Sequence, residues 1–188
     1  MKIHLDTTSN AIKNPEVKKQ IEDSLREDFE KELPEVIKRM EEVLSFLTHE
    51  VGIYSKLLRE AKRCYEEGLY CSSLAMIGIT AERFCLELSE NINFKINDNE
   101  ISEEDLFNRP IKSQWLRLSL LEKAKIIKPE IYEKLKEIDT IRNKYIHPRE
   151  EGDAKSDALK VLNLFIWVLN SRFSEKYIII DGKIVARK

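Results

Sequence analysis

The stretch from 69 to 88, LYCSSLAMIGITAERFCLEL, leaves no continuous polar face at helical spacing. Leu74, Ala75, Met76, Ile77, Ile79, Ala81, Phe84 and Leu88 fall on nearly every side of it. A helix without a polar face has to be enclosed by other elements. The segment is therefore expected at the centre of a helical bundle, with Gly68 closing the amphipathic helix before it as a C-cap. Five Gly and five Pro in 188 residues are too few for the turns of an all-β chain. The expectation is an all-α fold, an up-and-down helical bundle.

Other periodic segments supply the enclosing helices. Val17, Ile21, Leu25 and Phe29 recur every four residues after Pro15, a suitable first helical residue. Pro34 is expected to break or restart that helix, and Val36, Ile37, Met40, Val43, Leu44 and Leu47 continue the stripe toward Gly52. Residues 1–54 read as a charged N-terminal helical extension, 55–173 as the bundle and 174–188 as a tail. The stretch 91–112 reads as a long connection, followed by a helix with Ser113 as N-cap and another from Pro129. Leu162 to Leu169, inside a helix over 155–173, is apolar on almost every side, so either the core or another subunit must cover it. Two β-favouring runs around Asp181–Gly182 predict a short C-terminal β-hairpin, because both central positions of such a turn need positive φ.

The formal net charge is −2, which gives no global attraction to nucleic acid or anionic membrane. The segment from Arg109 to Arg149 nevertheless holds eleven Lys/Arg against five Asp/Glu, the pattern of a local polyanion surface. Cys64, Cys71 and Cys85 include no C-x-x-C pair, and all three are expected as buried thiols in helices. Neither a signal-like apolar core nor a run of about eighteen apolar residues occurs, so a cytoplasmic protein that does not enter the membrane is expected. No His/Asp/Glu cluster at ligand spacing occurs, and neither metal nor cofactor is expected. Leu106, Phe107 and Trp115 are expected in the core more than as base-stacking rings.

Chemistry concentrates in IRNKYIHPRE, residues 141–150, which holds one of three histidines. An Arg five positions before a His is expected about 0.2 times by chance here, and roughly 0.01 times with Asn directly after the Arg. At about 100° per residue, Arg142 falls about 20° from Leu135, inside the buried stripe of Ile131, Leu135, Ile138 and Ile146. A guanidinium on an apolar face needs a partner. Glu82 on the central helix is the candidate, with Asp139 a local alternative. Pro148 disfavours helix at His147, freeing the imidazole to swing toward Arg142, with Asn143 placed to orient it. A histidine can move the ribose 2′-hydroxyl proton or protonate a leaving 5′-oxygen near neutral pH. An arginine can hold the scissile phosphate in its planar fork. A two-fold dimer would supply the second histidine. The alternative is a helix-end cap and a structural ion pair.

AKRCYEEGLYCSSLAMIGITAERFCLEL and LSLLEKAKIIKPEIYEKLKEIDTIRNKYIHP together resemble the HEPN superfamily, over roughly residues 55–173. The first is similar to that family's long helical hairpin and the second to its R-N-x-x-x-H signature. At position 149, where some toxin-type members carry Tyr, this chain has Arg. The resemblance implies homodimers with a composite cleft, and a metal-independent endoribonuclease of defence or toxin–antitoxin type. On that reading Arg142 and His147 are catalytic, Asn143 positions them, and Lys144 and Arg149 guide the RNA backbone. An antitoxin or defence-system protein would be a further partner. The resemblance equally covers non-catalytic modules that bind RNA, nucleotide or protein, or only dimerise.

Overall fold

The computed structural model describes residues 13–44, 54–89, 94–96, 99–101, 114–146, 152–180 and 183–186. Their helices are α1 (Pro15–Glu42), α2 (Tyr54–Glu66), α3 (Tyr70–Ser89), α4 (Gln114–Lys123), α5 (Pro129–Ile146) and α6 (Ala154–Lys176). The architecture is all-α in its mass. Two short antiparallel pairs accompany the helices: β1 (Phe94–Ile96) with β2 (Asn99–Ile101), and β3 (Tyr177–Ile180) with β4 (Lys183–Ala186). The first pair lies within the stretch that reads as a plain connection, its three-residue strands too short for a periodic signal. Asp181, Gly182 and Ser113 lie outside the described residues.

The chain divides into two compact units between Met40 and Glu41. In the first, α1 begins as its sequence dictates: Asn14 Oδ1 accepts the Glu16 amide at 2.9 Å and Pro15 occupies the first helical position. Pro34 does not break this helix, contrary to expectation; α1 runs through it. Proline removes one amide donor and crowds the carbonyl four residues back, a cost of about 3 kcal/mol or more. The helical residues on both sides absorb that cost.

The second unit is the bundle. α3 packs against α2, α4, α5 and α6 and carries Leu74, Ile77, Ala81, Phe84 and Cys85 into the core. Around it α2 contributes Leu58, Ala61 and Tyr65, α4 Leu118 and Leu121, and α5 Ile131, Leu135 and Ile138. α6 contributes Ala158, Val161, Leu162, Phe165, Ile166 and Val168, so the 162–169 stretch is covered by the chain's own core. Burying each such Leu, Ile or Phe contributes about 1.5–3 kcal/mol. Phe84 ties the layers together edge-on, with ring centroids 5.4 Å from Tyr54 and 5.7 Å from Phe165. Asn163 fastens the segment after α1, accepting the Leu44 amide at 2.9 Å, while Tyr65 donates to Glu42 at 2.5 Å.

Enclosure of α3 is incomplete, because Ile79 is 49% exposed. The thiols also differ from expectation. Cys85 alone is buried, with Gln114 donating to its sulfur at 3.3 Å, and burial pushes it up to about 12. Cys64 is half-buried and Cys71 exposed. Trp115 is exposed as well, since α4 turns Leu118 and Leu121 inward instead. Leu106 and Phe107 lie outside the described residues.

Two helix ends fix the turns of the bundle. Gly68, at φ 78°, closes α2: its amide donates to Tyr65 and the Leu69 amide to Cys64, the paired bonds of a Schellman ending. Lys125, at φ 57°, closes α4 in the same way, its amide donating to Glu122 and that of Ile126 to Leu121. Here a residue with a Cβ occupies the left-handed region that glycine usually fills.

Candidate functional site at the end of α5

α5 enters the core through Ile131, Leu135, Ile138 and Ile141, and the same stripe carries Arg142 at its far end. The Arg142 side chain is 16% exposed. Its Nη2 donates to Glu82 of α3, and to Asp139 one turn earlier at 3.3 Å. The pairing satisfies the physical demand that a guanidinium brought onto an apolar face find opposite charge. Both bonds leave from Nη2. Nε is buried and unpartnered, and Nη1 bonds to nothing among the described residues.

The arginine needs room to lie across α3, and Gly78 provides it. A Cβ built at Gly78 would stand 2.6 Å from Nε, 2.7 Å from Cγ and 3.0 Å from Cδ of Arg142. A glycine inside a helix costs roughly 0.5–1 kcal/mol relative to alanine, and here that cost opens the slot for the side chain. Gly78 was not singled out by sequence reasoning. Its signal was a lone glycine inside an otherwise apolar helical run, which usually has a packing reason.

Asp139 serves two neighbours. Its second oxygen accepts from Asn143 Nδ2 at 3.4 Å, so the Asn143 amide nitrogen reaches one turn back along α5. Asn143 and Lys144 are both exposed. His147 and Arg149 lie outside the described residues. Arg142, Asn143, Glu82 and Asp139 thus form one connected cluster where α3 and α5 meet.

The chain on either side of residues 147–151 is pinned. The Tyr145 hydroxyl donates to Asp157 of α6 at 2.8 Å. Gly152 lies under the same ring, where a Cβ would stand 2.5 Å from the hydroxyl oxygen. Burial, then the bond to Asp157, pushes the Tyr145 phenol up to about 12. Asp153 caps α6, accepting the amides of Lys155 and Ser156 at 3.1 Å each. Tyr145, Gly152 and Asp157 also went unread in the sequence, because their bond spans two helices and leaves no periodic trace.

At the start of α5 a groove of about 510 Å³ is lined by Pro129, Glu130, Glu133, Lys134, Glu137 and Trp167, and Lys134 sits 4.7 Å over the Trp167 ring. Among the described residues no three His, Cys, Asp or Glu side chains form a group that could hold a metal ion, and no helix is long and apolar enough to cross a membrane. No family model, curated protein or solved structure matches the chain. What can be said of the class is therefore an all-α bundle with a half-buried, carboxylate-held arginine five residues before a histidine.

Proposed function

We propose that this chain is a HEPN-type, metal-independent endoribonuclease of defence or toxin–antitoxin type, working as a homodimer in the cytoplasm, with Arg142 and His147 as its catalytic residues. The observation that carries the reading is the state of Arg142. Glu82 and Asp139 hold it through Nη2, and Nη1, which bonds to nothing among the described residues, is left for a further acceptor. A guanidinium held this way is pre-organised to take a phosphate oxygen without losing its anchor. His147, five residues on in a segment bracketed by the Tyr145–Asp157 bond, takes the ribose 2′-hydroxyl proton. The 2′-oxygen then forms its bond to phosphorus as the bond to the 5′-oxygen breaks. His147 of the second copy returns a proton to that 5′-oxygen, leaving a 2′,3′-cyclic phosphate and a 5′-hydroxyl. Asn143 acts as a positioning residue, and Lys144 and Arg149 hold the backbone without reading bases.

The test is incubation of the purified chain with a mixed-structure fluorescent RNA in EDTA, beside His147→Ala and Arg142→Ala. Cleavage by the wild type to cyclic-phosphate ends, lost in both variants, is the expected result. A wild type that cuts only with added magnesium overturns the mechanism.

A second reading has its own observation. Two carboxylates around one guanidinium leave the cluster with a net negative charge, which opposes phosphate binding. That favours a non-cleaving module that binds RNA, nucleotide or protein through other surfaces. Saturable binding without cleavage, unchanged in His147→Ala, would select it.

A further inference from the structure

α1 presents large apolar side chains to solvent along one line. Leu25, Phe29, Leu33, Ile37 and Met40 are 63%, 59%, 38%, 48% and 49% exposed. At about 100° and 1.5 Å per residue they fall within a 120° arc and extend for about 22 Å. Isolated apolar residues on a surface need no explanation, but a continuous stripe marks an interaction site. Its margins are predominantly acidic, with Arg39, paired to Glu32 at 3.7 Å, the one cation among them. Asp28, Glu32 and Glu35 border it on one side and Glu30 and Glu41 on the other, all exposed, with Arg26 at its beginning the only cation inside the arc. Of the nearby lysines, Lys31 pairs with Glu27 at 2.9 Å and Lys18 with Glu22 at 3.6 Å, and Lys38 falls on the side of the helix opposite the stripe.

These margins select the occupant. A second copy of α1, laid antiparallel, would bring each net-acidic margin against its own equivalent, and like charges that close disfavour association. Anionic membrane is disfavoured for the same reason. We infer that the α1 stripe docks a cationic amphipathic helix of another protein, of about fifteen residues, with apolar side chains at helical spacing and Lys or Arg along both flanks. The apolar contacts supply the affinity. The acidic margins supply the selection and the encounter rate.

The probe is a fluorescein-labelled fourteen-residue Leu/Lys amphipathic helix, with a Leu/Glu peptide of the same pattern as its counterpart. Each is titrated by anisotropy into the full chain. The expected result is saturable one-to-one binding of the Leu/Lys peptide, none of the Leu/Glu peptide, and at least tenfold weaker binding by the double variant Phe29→Glu, Ile37→Glu. A second variant, Asp28→Lys, Glu30→Lys, Glu35→Lys, keeps the apolar stripe and is expected to reverse the peptide preference. Equal binding of both peptides overturns the proposal, as does Leu/Lys binding that neither variant changes. A wild-type dimer that the double variant dissolves in sedimentation also overturns it, because the stripe is then covered by a second copy.

Discussion

α1 and α6 are the two longest helices, and their use of apolar residues is opposite. α6, with 23 residues, buries Ala158, Val161, Leu162, Phe165, Ile166 and Val168. α1, with 28 residues, buries a single side chain, that of Arg39. Both have apolar residues at helical spacing, so periodicity sets the conformation in each case. Periodicity alone says little about where the apolar face goes. α6 is apolar on almost every side through its middle and has to be enclosed, whereas the stripe of α1 is one-third of a surface otherwise thick with Lys, Arg, Asp and Glu. Such a helix is solvated on the rest of its surface and can hold a stripe in reserve. The lesson is that the width of the apolar arc carries the burial signal.

The widest expected gap between the two helices comes from truncating a phenylalanine in each. Phe165→Ala removes a fully buried ring that touches Phe84, and should cost about 3–5 kcal/mol in urea unfolding. Phe29→Ala, at a side chain 59% exposed, should stay within about 0.5 kcal/mol. A loss above about 2 kcal/mol at Phe29 would mean that α1 is covered in solution and would erase the contrast.

Gly78→Ala probes the one place where the bundle gives up packing to admit a polar group. The added methyl would enter the space of Arg142 Nε and Cγ. Overpacking of this kind costs about 1–3 kcal/mol, reduced by up to about 1 kcal/mol of recovered helix propensity. Arg142→Ala in the same background should remove most of the penalty, since the clash partner is gone. A double-mutant cycle in thermal unfolding reads that coupling, and additive effects would show that the slot does not exist.

How much of this was legible follows the same division. Amphipathic and all-apolar runs identified the bundle helices, and Ile131, Leu135 and Ile138 line the core where their spacing put them. The position of Arg142 on that stripe was legible for the same reason, as were Glu82 and Asp139 as the carboxylates within its reach. Gly78, the Tyr145–Asp157 bond and the exposure of Trp115 depend on which helices meet, and no spacing within one segment encodes that. Pro34 misled because its local penalty is real, yet it is smaller than the summed preference of a long helix.

Tyr145→Phe tests the pin beside the candidate site. Losing the hydroxyl leaves Asp157 without its donor and should cost about 1 kcal/mol at neutral pH. The phenol is raised in the fold from the ordinary tyrosine value to about 12, so folding favours its neutral form. That contribution is complete below about pH 10 and is lost as pH rises toward 12. The wild type should therefore converge on Tyr145→Phe across that alkaline window. Parallel stability curves for the two proteins would show that the hydroxyl contributes nothing to the bundle.

The smallest effect is expected at the paired helix endings. Gly68 and Lys125 hold the same left-handed position at the ends of α2 and α4, and only one of them is a glycine. A side chain in that region costs roughly 1–2 kcal/mol, while glycine adds unfolded-chain entropy that returns part of it. Lys125→Gly should thus stabilise the bundle by about 0.5–1 kcal/mol, and Gly68→Lys should destabilise it by a similar amount. Because both positions lie in the bundle, both effects should appear in its main cooperative transition and leave the helicity of α1 unchanged. If Lys125→Gly destabilises instead, the lysine stem is packed against the α4–α5 turn strongly enough to outweigh its backbone strain. The turn into α5, and with it the placing of Arg142, would then rest on that side chain.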